Sequence, residues 1–291
     1  MDSYSGLLAN PWRREGECEG MATLSVNQTT TFRWSFDEDV TRCAAAGYSA
    51  ISVWRQKLSD FGIARASELL QQHGVKALSL FWAGGFTGSD GRSYRESVDD
   101  GIEAVRAAAA IGADSVVLCS GARGGHTLNH ARRLFVSAIE ELLAVASPLA
   151  IDLALEPMHP GCAADWTFVT SLEQAVGIIE SVSSPRLRLV FDTCHLGWSP
   201  KVVEMIPHVA GRIALVQLGD MRSPPSGEQN RCRLGDGVLP LPEIVAALKS
   251  AGYDGCYDVE LLGEELEGYA YTALLKHSRQ WYERYVEGRC D

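Results

Sequence analysis

Short apolar runs alternate with amphipathic helical stretches along almost the whole chain. Eight of the runs are rich in leucine, valine and isoleucine and lack strict polar alternation. That composition is typical of strands buried on both faces of a parallel sheet. The predicted strands cover residues 21–30, 50–55, 75–82, 114–121, 152–157, 187–197, 213–220 and 255–263.

Amphipathic helices are predicted between these strands. The first begins at Ser35, followed by Glu38 at the spacing of a capping box, and the stretch over 63–74 ends on Gly74, a typical helix stop. Strands that alternate with helices pair in parallel through right-handed crossovers. Eight units of about 36 residues fill the chain, which predicts an α/β fold with a single (β/α)8 TIM barrel.

A doubly wound open sheet is the alternative architecture. It would usually carry a glycine-rich turn after the first strand, whereas here that strand continues into NQTTTFRWS. No low-complexity segment or linker divides the chain. We therefore expect an irregular segment over residues 1–20 and one catalytic barrel over residues 21–291.

Composition and charge narrow the classes of function. The 291 residues include 26 basic and 37 acidic side chains, a formal charge of −11. This balance argues against nucleic acid or an anionic membrane as a partner, since both need a basic face. The chain contains no run of about 18 apolar residues, which a membrane-spanning helix would need. The first residues lack the apolar segment of a secretory signal. The eight cysteines form no CxxC pair, so we expect buried thiols and a cytoplasmic location.

Polar residues stand at the ends of four consecutive predicted strands. Glu156 ends the fifth, Asp192 the sixth with His195 shortly after it, Gln217 lies in the seventh and Glu260 in the eighth. Active sites of such barrels lie where the strands end. Three buried carboxylates would repel one another, and a divalent cation would relieve that repulsion. Oxygen ligands suit Mn²⁺ or Mg²⁺ more than Zn²⁺. Mn²⁺ is the first choice because it also tolerates a nearby imidazole, with Mg²⁺, Co²⁺ and Zn²⁺ left open.

With these residues placed, the chain resembles the xylose isomerase-like superfamily of TIM barrels, which comprises sugar phosphate isomerases and epimerases. The likeness lies between about residues 150 and 270 and rests on the order and spacing of LEPMHP, DTCH, QLGD, NRCRLGDGVLP, AGYDG and VEL. The resemblance implies one divalent metal ion held by Glu156, Asp192, the strand-seven residue Gln217 and Glu260. It also implies that Glu156 and Glu260 act as acid and base on opposite sides of the substrate.

The resemblance further implies residues that bind the substrate. His195 matches a histidine that contacts a substrate oxygen. Arg231 matches an arginine that contacts substrate oxygens, with Arg233 close enough to compete for the same place. His159, in EPMHP, is a further candidate for oxygen contact or proton transfer. Four tryptophans near strand ends are candidates for apolar walls around a sugar ring: Trp54, Trp82, Trp166 and Trp198.

Two positions depart from the pattern of the superfamily. Most relatives supply a histidine from the seventh strand, where this chain has Gln217, a neutral and weaker donor. The ketose 3-epimerases carry a further glutamate six residues after the fifth-strand ligand, where this chain has Cys162. The second departure speaks against a simple 3-epimerase, and the two together make a lyase a serious alternative.

The chemistry implied is removal of a proton next to a carbonyl, with an enediolate stabilised by the metal. Return of the proton gives epimerisation or aldose–ketose isomerisation, and loss of a leaving group gives elimination. We therefore predict a metal-dependent isomerase or epimerase acting on a small sugar or keto-polyol. A lyase, similar to inosose or dehydroshikimate dehydratases, is the alternative. An endonuclease IV-like repair enzyme and a non-catalytic barrel are remote alternatives, and a homo-oligomer is compatible with the fold.

Overall fold

Eight parallel strands close a barrel in the order in which they occur along the chain. The computed structural model describes residues 22–289, so the predicted irregular segment over residues 1–20 lies outside the described residues. The first strand pairs in parallel with both the second and the eighth, which closes the circle. The prediction of a (β/α)8 TIM barrel is therefore confirmed. The strands are β1 (Thr23–Asn27), β2 (Ala50–Trp54), β3 (Lys76–Ala83), β4 (Ser115–Leu118), β5 (Asp152–Leu155), β6 (Leu187–Asp192), β7 (Ile213–Leu218) and β8 (Cys256–Val259).

Ten α-helices lie between and after the strands in the described part of the chain. Among these residues, no helix is both long enough and apolar enough to cross a membrane. The helices are α1 (Phe36–Ala45), α2 (Arg55–Phe61), α3 (Ile63–His73), α4 (Tyr94–Ala110), α5 (Leu128–Ala146), α6 (Leu172–Val182), α7 (Thr193–Leu196), α8 (Val202–Val209), α9 (Leu241–Ser250) and α10 (Tyr271–Tyr285), with short 3-10 helices at Ala210–Arg212 and Glu264–Leu266.

Local sequence signals set several helix ends. At the start of α1, the Ser35 N–H donates to Glu38 Oε2 at 3.1 Å, as the capping-box spacing predicts. Gly74 ends α3 with a left-handed φ of 62°, which glycine adopts at little cost. Two helices were not predicted from the sequence: α2, which follows β2 without a loop, and α7. The predicted strand over residues 187–197 is wrong in its second half, because β6 ends at Asp192 and α7 follows at once.

Apolar side chains fill the barrel interior below its carboxyl end. Strand side chains alternate between the interior and the helices, so residues two apart point the same way. Glu156, Asp192 and Gln217 each lie two residues beyond an interior apolar residue of their own strand or its extension. The alternation therefore directs these polar side chains into the barrel. The interior apolar cluster consists of Ala50, Leu78, Val117, Ala154, Val190 and Leu215.

A buried ion pair fixes the loop between β1 and α1. Lys57 Nζ lies 2.6 Å from Asp39 Oδ2 and donates to the carbonyl oxygens of Gln28 at 3.2 Å and Thr31 at 2.9 Å. Thr31 Oγ1 donates to the other Asp39 oxygen at 2.6 Å. Burial raises the pKa of Asp39 to about 6 in spite of Lys57, so this pair depends on its hydrogen bonds to remain ionised.

Removal of one partner from this pair is expected to destabilise the fold strongly. Lys57→Met leaves the Asp39 carboxylate buried without its cation and should lower the free energy of unfolding by about 3–5 kcal/mol. Denaturant unfolding measures the change.

Lys76→Met is the matched control, because Lys76 Nζ lies at the same 2.6 Å from Asp114 Oδ2 in an exposed pair. It should cost less than about 1 kcal/mol. Equal losses in the two variants would contradict the structural role of the buried pair.

Candidate functional site

Four consecutive strands bring polar side chains together at the carboxyl end of the barrel. Glu156 and Glu260 directly follow β5 and β8, Asp192 ends β6, and Gln217 lies in β7. The side chains of Asp192 and Gln217 are register neighbours on paired strands. Each of the four residues is at most 3% exposed. The structure therefore places the four predicted metal ligands at one end of the barrel, shielded from bulk water.

Asp192 uses its two carboxylate oxygens in different ways. Oδ1 accepts hydrogen bonds from the backbone N–H of Cys194 at 2.6 Å and of His195 at 3.0 Å, which caps α7. Oδ2 forms an ion pair with Arg231 Nη1 at 2.9 Å. Burial opposes ionisation of this group, but Arg231, His195 and the two backbone hydrogen bonds outweigh it and lower the pKa of Asp192. Asp192 is therefore a permanent anion of the site.

Glu156 and His195 face each other across a short gap. His195 Nε2 lies 3.6 Å from Glu156 Oε1. One ligand atom from each of Glu156, Asp192 and His195 lies within 4.8 Å of the other two, a spacing that suits a metal ion. Burial, together with the charges of Glu260 and Asp192, raises the pKa of Glu156 well above its usual value. Burial also lowers the pKa of His195 to about 4, so its imidazole is neutral at pH 7.

Glu260 lies outside this group of three and near the same arginine. Its Oε2 is 3.8 Å from Arg231 Nη1. Burial raises the pKa of Glu260 to about 8, since the opposing charge of Arg231 does not offset burial and the charges of Asp192 and Asp258. A carboxyl group that exchanges its proton near neutral pH is suited to general acid–base catalysis.

Arg231 pairs with two of the carboxylates of the site. It is fully buried, and besides its ion pair with Asp192 it donates from Nη1 to the Glu260 carbonyl oxygen at 3.1 Å and from Nη2 to Gln229 Oε1 at 2.8 Å. A Cβ on Gly219 would lie 3.0 Å from Arg231 Nη1, so glycine leaves room for the guanidinium there. Arg231 therefore neutralises part of the negative charge of the site.

Several buried polar atoms of the site have no hydrogen-bond partner. Buried polar atoms are usually paired, so an unpaired group points to a missing ligand or water. Carboxylate and amide oxygens with one imidazole fit a divalent cation. The unpaired atoms are Glu156 Oε2, His195 Nε2, Gln217 Oε1 and Nε2, and Glu260 Oε2.

The other predicted binding residues lie at different distances from this centre. Arg233 is not part of it, because it pairs with Asp236 at 2.8 Å and its guanidinium lies 4.8 Å from the Tyr269 ring centroid. His159 accepts a hydrogen bond at Nδ1 from the Gly161 N–H at 3.1 Å and lines a neighbouring cavity of about 250 Å³ together with His195. Substrate contact by Arg231, His159 and His195 stays a prediction.

Comparison with known proteins agrees with this geometry. Residues 40–285 match the model of the xylose isomerase-like TIM barrel family. The chain belongs to this family.

Two curated relatives of the chain carry isomerase or epimerase names. An inosose isomerase from Bacillus velezensis is 25% identical over 275 residues, which are 90% of this chain and 96% of the relative. An L-ribulose-5-phosphate 3-epimerase from Escherichia coli is 28% identical over 154 residues, which are 53% of this chain and 50% of the relative. A solved structure, the IolI protein with a bound zinc atom, has a TM-score of 0.80 at 22% identity over 92% of this chain and 99% of that chain, a likeness in fold.

The two residues that depart from the family pattern, Gln217 and Cys162, both lie at the candidate site. Gln217 is fully buried and presents an amide with neither polar atom paired. Cys162 Sγ lies 3.7 Å from His195 Nδ1. Burial raises the pKa of the Cys162 thiol to about 11, so it carries a proton at neutral pH and can donate to the imidazole.

Sequence reasoning missed one acid of the barrel interior. Asp258 on β8 is fully buried, and burial raises its pKa to about 7, while Ser52, Ser25 and Asn27 act in the opposite direction. Asp258 lies two residues before Glu260, so strand alternation directs both side chains inward. That spacing in YDVELL was the signal available in the sequence.

Protonation of Glu260 is expected to govern part of the pH dependence of stability in the metal-free protein. The folded state keeps the Glu260 proton up to pH about 8, whereas the unfolded chain releases it near its ordinary pKa of 4.5. Since the folded state binds more protons in between, this group lowers stability as pH rises through that range. Glu260→Gln removes the effect and should raise the free energy of unfolding by about 1–2 kcal/mol near pH 8.

Denaturant unfolding in a chelator across this pH range measures the difference. Glu180→Gln, at an exposed glutamate of α6, is the control. Its free energy of unfolding should change with pH in the same way as that of the wild-type protein. Parallel pH curves for the original protein and Glu260→Gln would contradict the raised pKa.

Proposed function

We propose that this protein is a divalent-metal-dependent isomerase or epimerase that acts on a sugar or keto-polyol by removing a proton next to a carbonyl. The observation that carries the proposal is the set of buried atoms at the ends of β5 to β8 that could bind a metal ion and have no hydrogen-bond partner. They include oxygens of two glutamates with raised pKa values. The isomerase and epimerase names of the family relatives support the same class of reaction.

The proposed metal ligands are Glu156, Asp192, Gln217 and Glu260. A divalent cation held there would polarise the substrate carbonyl and stabilise the enediolate charge. The oxygen-rich ligand set favours Mn²⁺ over Zn²⁺, although the related fold of IolI holds a zinc atom. The negative charge of the three carboxylate ligands, offset in part by Arg231, would attract the cation.

The proposed acid and base are Glu156 and Glu260. Burial and neighbouring carboxylates raise the pKa values of both groups, which makes each a stronger base toward a substrate proton than an ordinary carboxylate. Asp192 keeps its charge because its pKa is lowered. Neutral His195 has an unpaired Nε2. With Cys162 donating to Nδ1, the imidazole proton lies on Nε2, which would donate a hydrogen bond to a substrate oxygen.

A lyase is the second candidate, and Cys162 favours it. Its thiol lies beside His195, at the position where the ketose 3-epimerases carry a glutamate. A thiol with a pKa of about 11 does not replace a carboxylate as a base or as a hydrogen-bond acceptor for substrate hydroxyls. A product formed by loss of water would identify this alternative.

Proton exchange tests the proposed reaction directly. Incubation with Mn²⁺ and a panel of keto-sugars, inososes and 3-keto-glycosides in deuterated water should introduce deuterium at the carbon next to the carbonyl. Glu260→Gln should lower kcat/KM by about 10²–10⁴-fold, the range for loss of a general acid or base. Glu180→Gln is the surface control.

Mass spectrometry of the products distinguishes retention of mass from loss of water. Full activity of Glu260→Gln would refute its proposed role, and absence of exchange with every compound would refute the reaction class.

Metal affinity tests Gln217 independently of turnover. Gln217→Leu should weaken Mn²⁺ binding at least about tenfold, which corresponds to about 1.4 kcal/mol, while Gln217→His should retain the affinity. Calorimetric titration of the metal-free proteins measures both. Unchanged binding by Gln217→Leu would exclude Gln217 as a ligand.

A further inference from the structure

A large cavity opens directly above the candidate site. Its volume is about 520 Å³. Two of its lining residues contact the site below, because Cys162 lies 3.7 Å from His195 and Gln229 accepts a hydrogen bond from Arg231. A molecule that reaches the strand-end residues through this opening must therefore fit the lining of the cavity.

Apolar and neutral polar groups form much of that lining. Trp54, Trp166 and Phe32 present aromatic rings, and Thr29 and Asn230 present neutral polar groups. Aromatic rings pack against the C–H faces of a polyol, and hydroxyl and amide groups bond to its hydroxyls. The lining therefore suits an uncharged polyhydroxylated ring or chain.

The charged groups of the lining are all acidic. Glu228, Glu264 and Glu267 line the cavity, and its described lining includes no lysine or arginine. A phosphate or carboxylate on the substrate would need cationic side chains or free backbone N–H groups. Three carboxylates instead repel an anion that enters the cavity.

The arginines near the cavity are engaged elsewhere. Arg231 lies beneath it and pairs with Asp192 at 2.9 Å. Arg33 lies 5.2 Å from the Phe32 ring centroid and donates from Nε to the Tyr271 hydroxyl at 3.0 Å. Arg55, next to Trp54, forms two hydrogen bonds with Asp100 at 2.7 and 2.9 Å. Arg123, on the loop after β4, is not part of the cavity lining.

Backbone N–H groups of the loop after β7 donate hydrogen bonds to a carboxylate of the chain itself, Asp220. Asp220 Oδ2 accepts hydrogen bonds from the N–H of Gly235 at 2.9 Å and of Gly237 at 3.0 Å. Its Oδ1 accepts from Met221 at 2.8 Å and Leu239 at 3.3 Å. A loop that could have surrounded a phosphate therefore surrounds the Asp220 carboxylate.

The loop after β8 is also unsuited to binding a phosphate. Many TIM barrels bind phosphate with the loops after strands seven and eight and the start of a short extra helix. Here the short helix Glu264–Leu266 begins with two glutamates, and the Glu264 N–H donates to Asn230 Oδ1 at 3.0 Å. Acidic side chains thus occupy the usual place for a phosphate.

We propose that the substrate is an unphosphorylated, uncharged keto-polyol or free sugar, and that Glu264 and Glu267 determine this specificity by repelling anionic analogues. This inference rests on the proposed function. It separates the chain from a relative named for a sugar phosphate.

Matched pairs of ketoses with and without a terminal phosphate test the specificity. In the Mn²⁺-loaded protein, kcat/KM for deuterium exchange should be at least about 100-fold higher for the neutral member, which corresponds to about 2.7 kcal/mol. In the double variant Glu264→Lys/Glu267→Lys, this ratio should fall at least about tenfold, through a lower KM for the phosphorylated member.

Glu265→Lys is the matched control, because Glu265 lies in the same short helix but pairs with Arg222 at 2.8 Å instead of lining the cavity. It should leave the ratio unchanged. Equal or faster exchange of the phosphorylated member in the original protein, or a ratio that moves as much in Glu265→Lys as in the double variant, would overturn the proposal.

Calorimetric titration with the same pairs distinguishes this failure from that of the proposed function. Tighter binding of the neutral member without any exchange supports the substrate class and contradicts the reaction. Exchange confined to phosphorylated members supports the reaction and contradicts the substrate class. If no compound undergoes exchange and the neutral member does not bind more tightly, both the reaction and the substrate class are contradicted.

Discussion

The carboxyl end of this barrel depends on the charge balance around Arg231. Glu156, Asp192 and Glu260 converge in a region that excludes water, where an unpaired carboxylate is costly. One guanidinium contacts two of them, and Gly219 leaves the space that it occupies. The result is one permanent anion at Asp192 and two carboxyl groups that retain protons toward neutral pH. A single buried cation therefore divides the acids into different chemical roles.

That balance explains why much of the site could be predicted from the sequence. A charged residue at the end of an apolar strand is unfavourable unless something compensates for it, so Glu156 and Asp192 stood out against their neighbours. The strand centres and the closed barrel followed from apolar runs separated by helices. Strand ends were less certain, because the chain composition does not change where β6 passes into α7.

Other features depend on contacts between distant segments and had no local signal. The lining of the cavity joins Thr29 after β1 with Glu264 and Glu267 after β8. Those glutamates look like ordinary surface residues in the sequence, and only closure of the barrel brings them opposite the aromatic rings. The same holds for Asp220, because three of its four backbone partners lie 15–19 residues further along the chain.

The helix cap at Asp192 has a consequence for how this position tolerates change. One carboxylate oxygen organises the backbone of Cys194 and His195, while the other faces Arg231. Any replacement there disturbs the imidazole position, the charge balance and the first turn of α7 together. Folding and chemistry are thus coupled at residue 192, so a variant made there for altered chemistry would carry a cost in stability that a variant in a loop avoids.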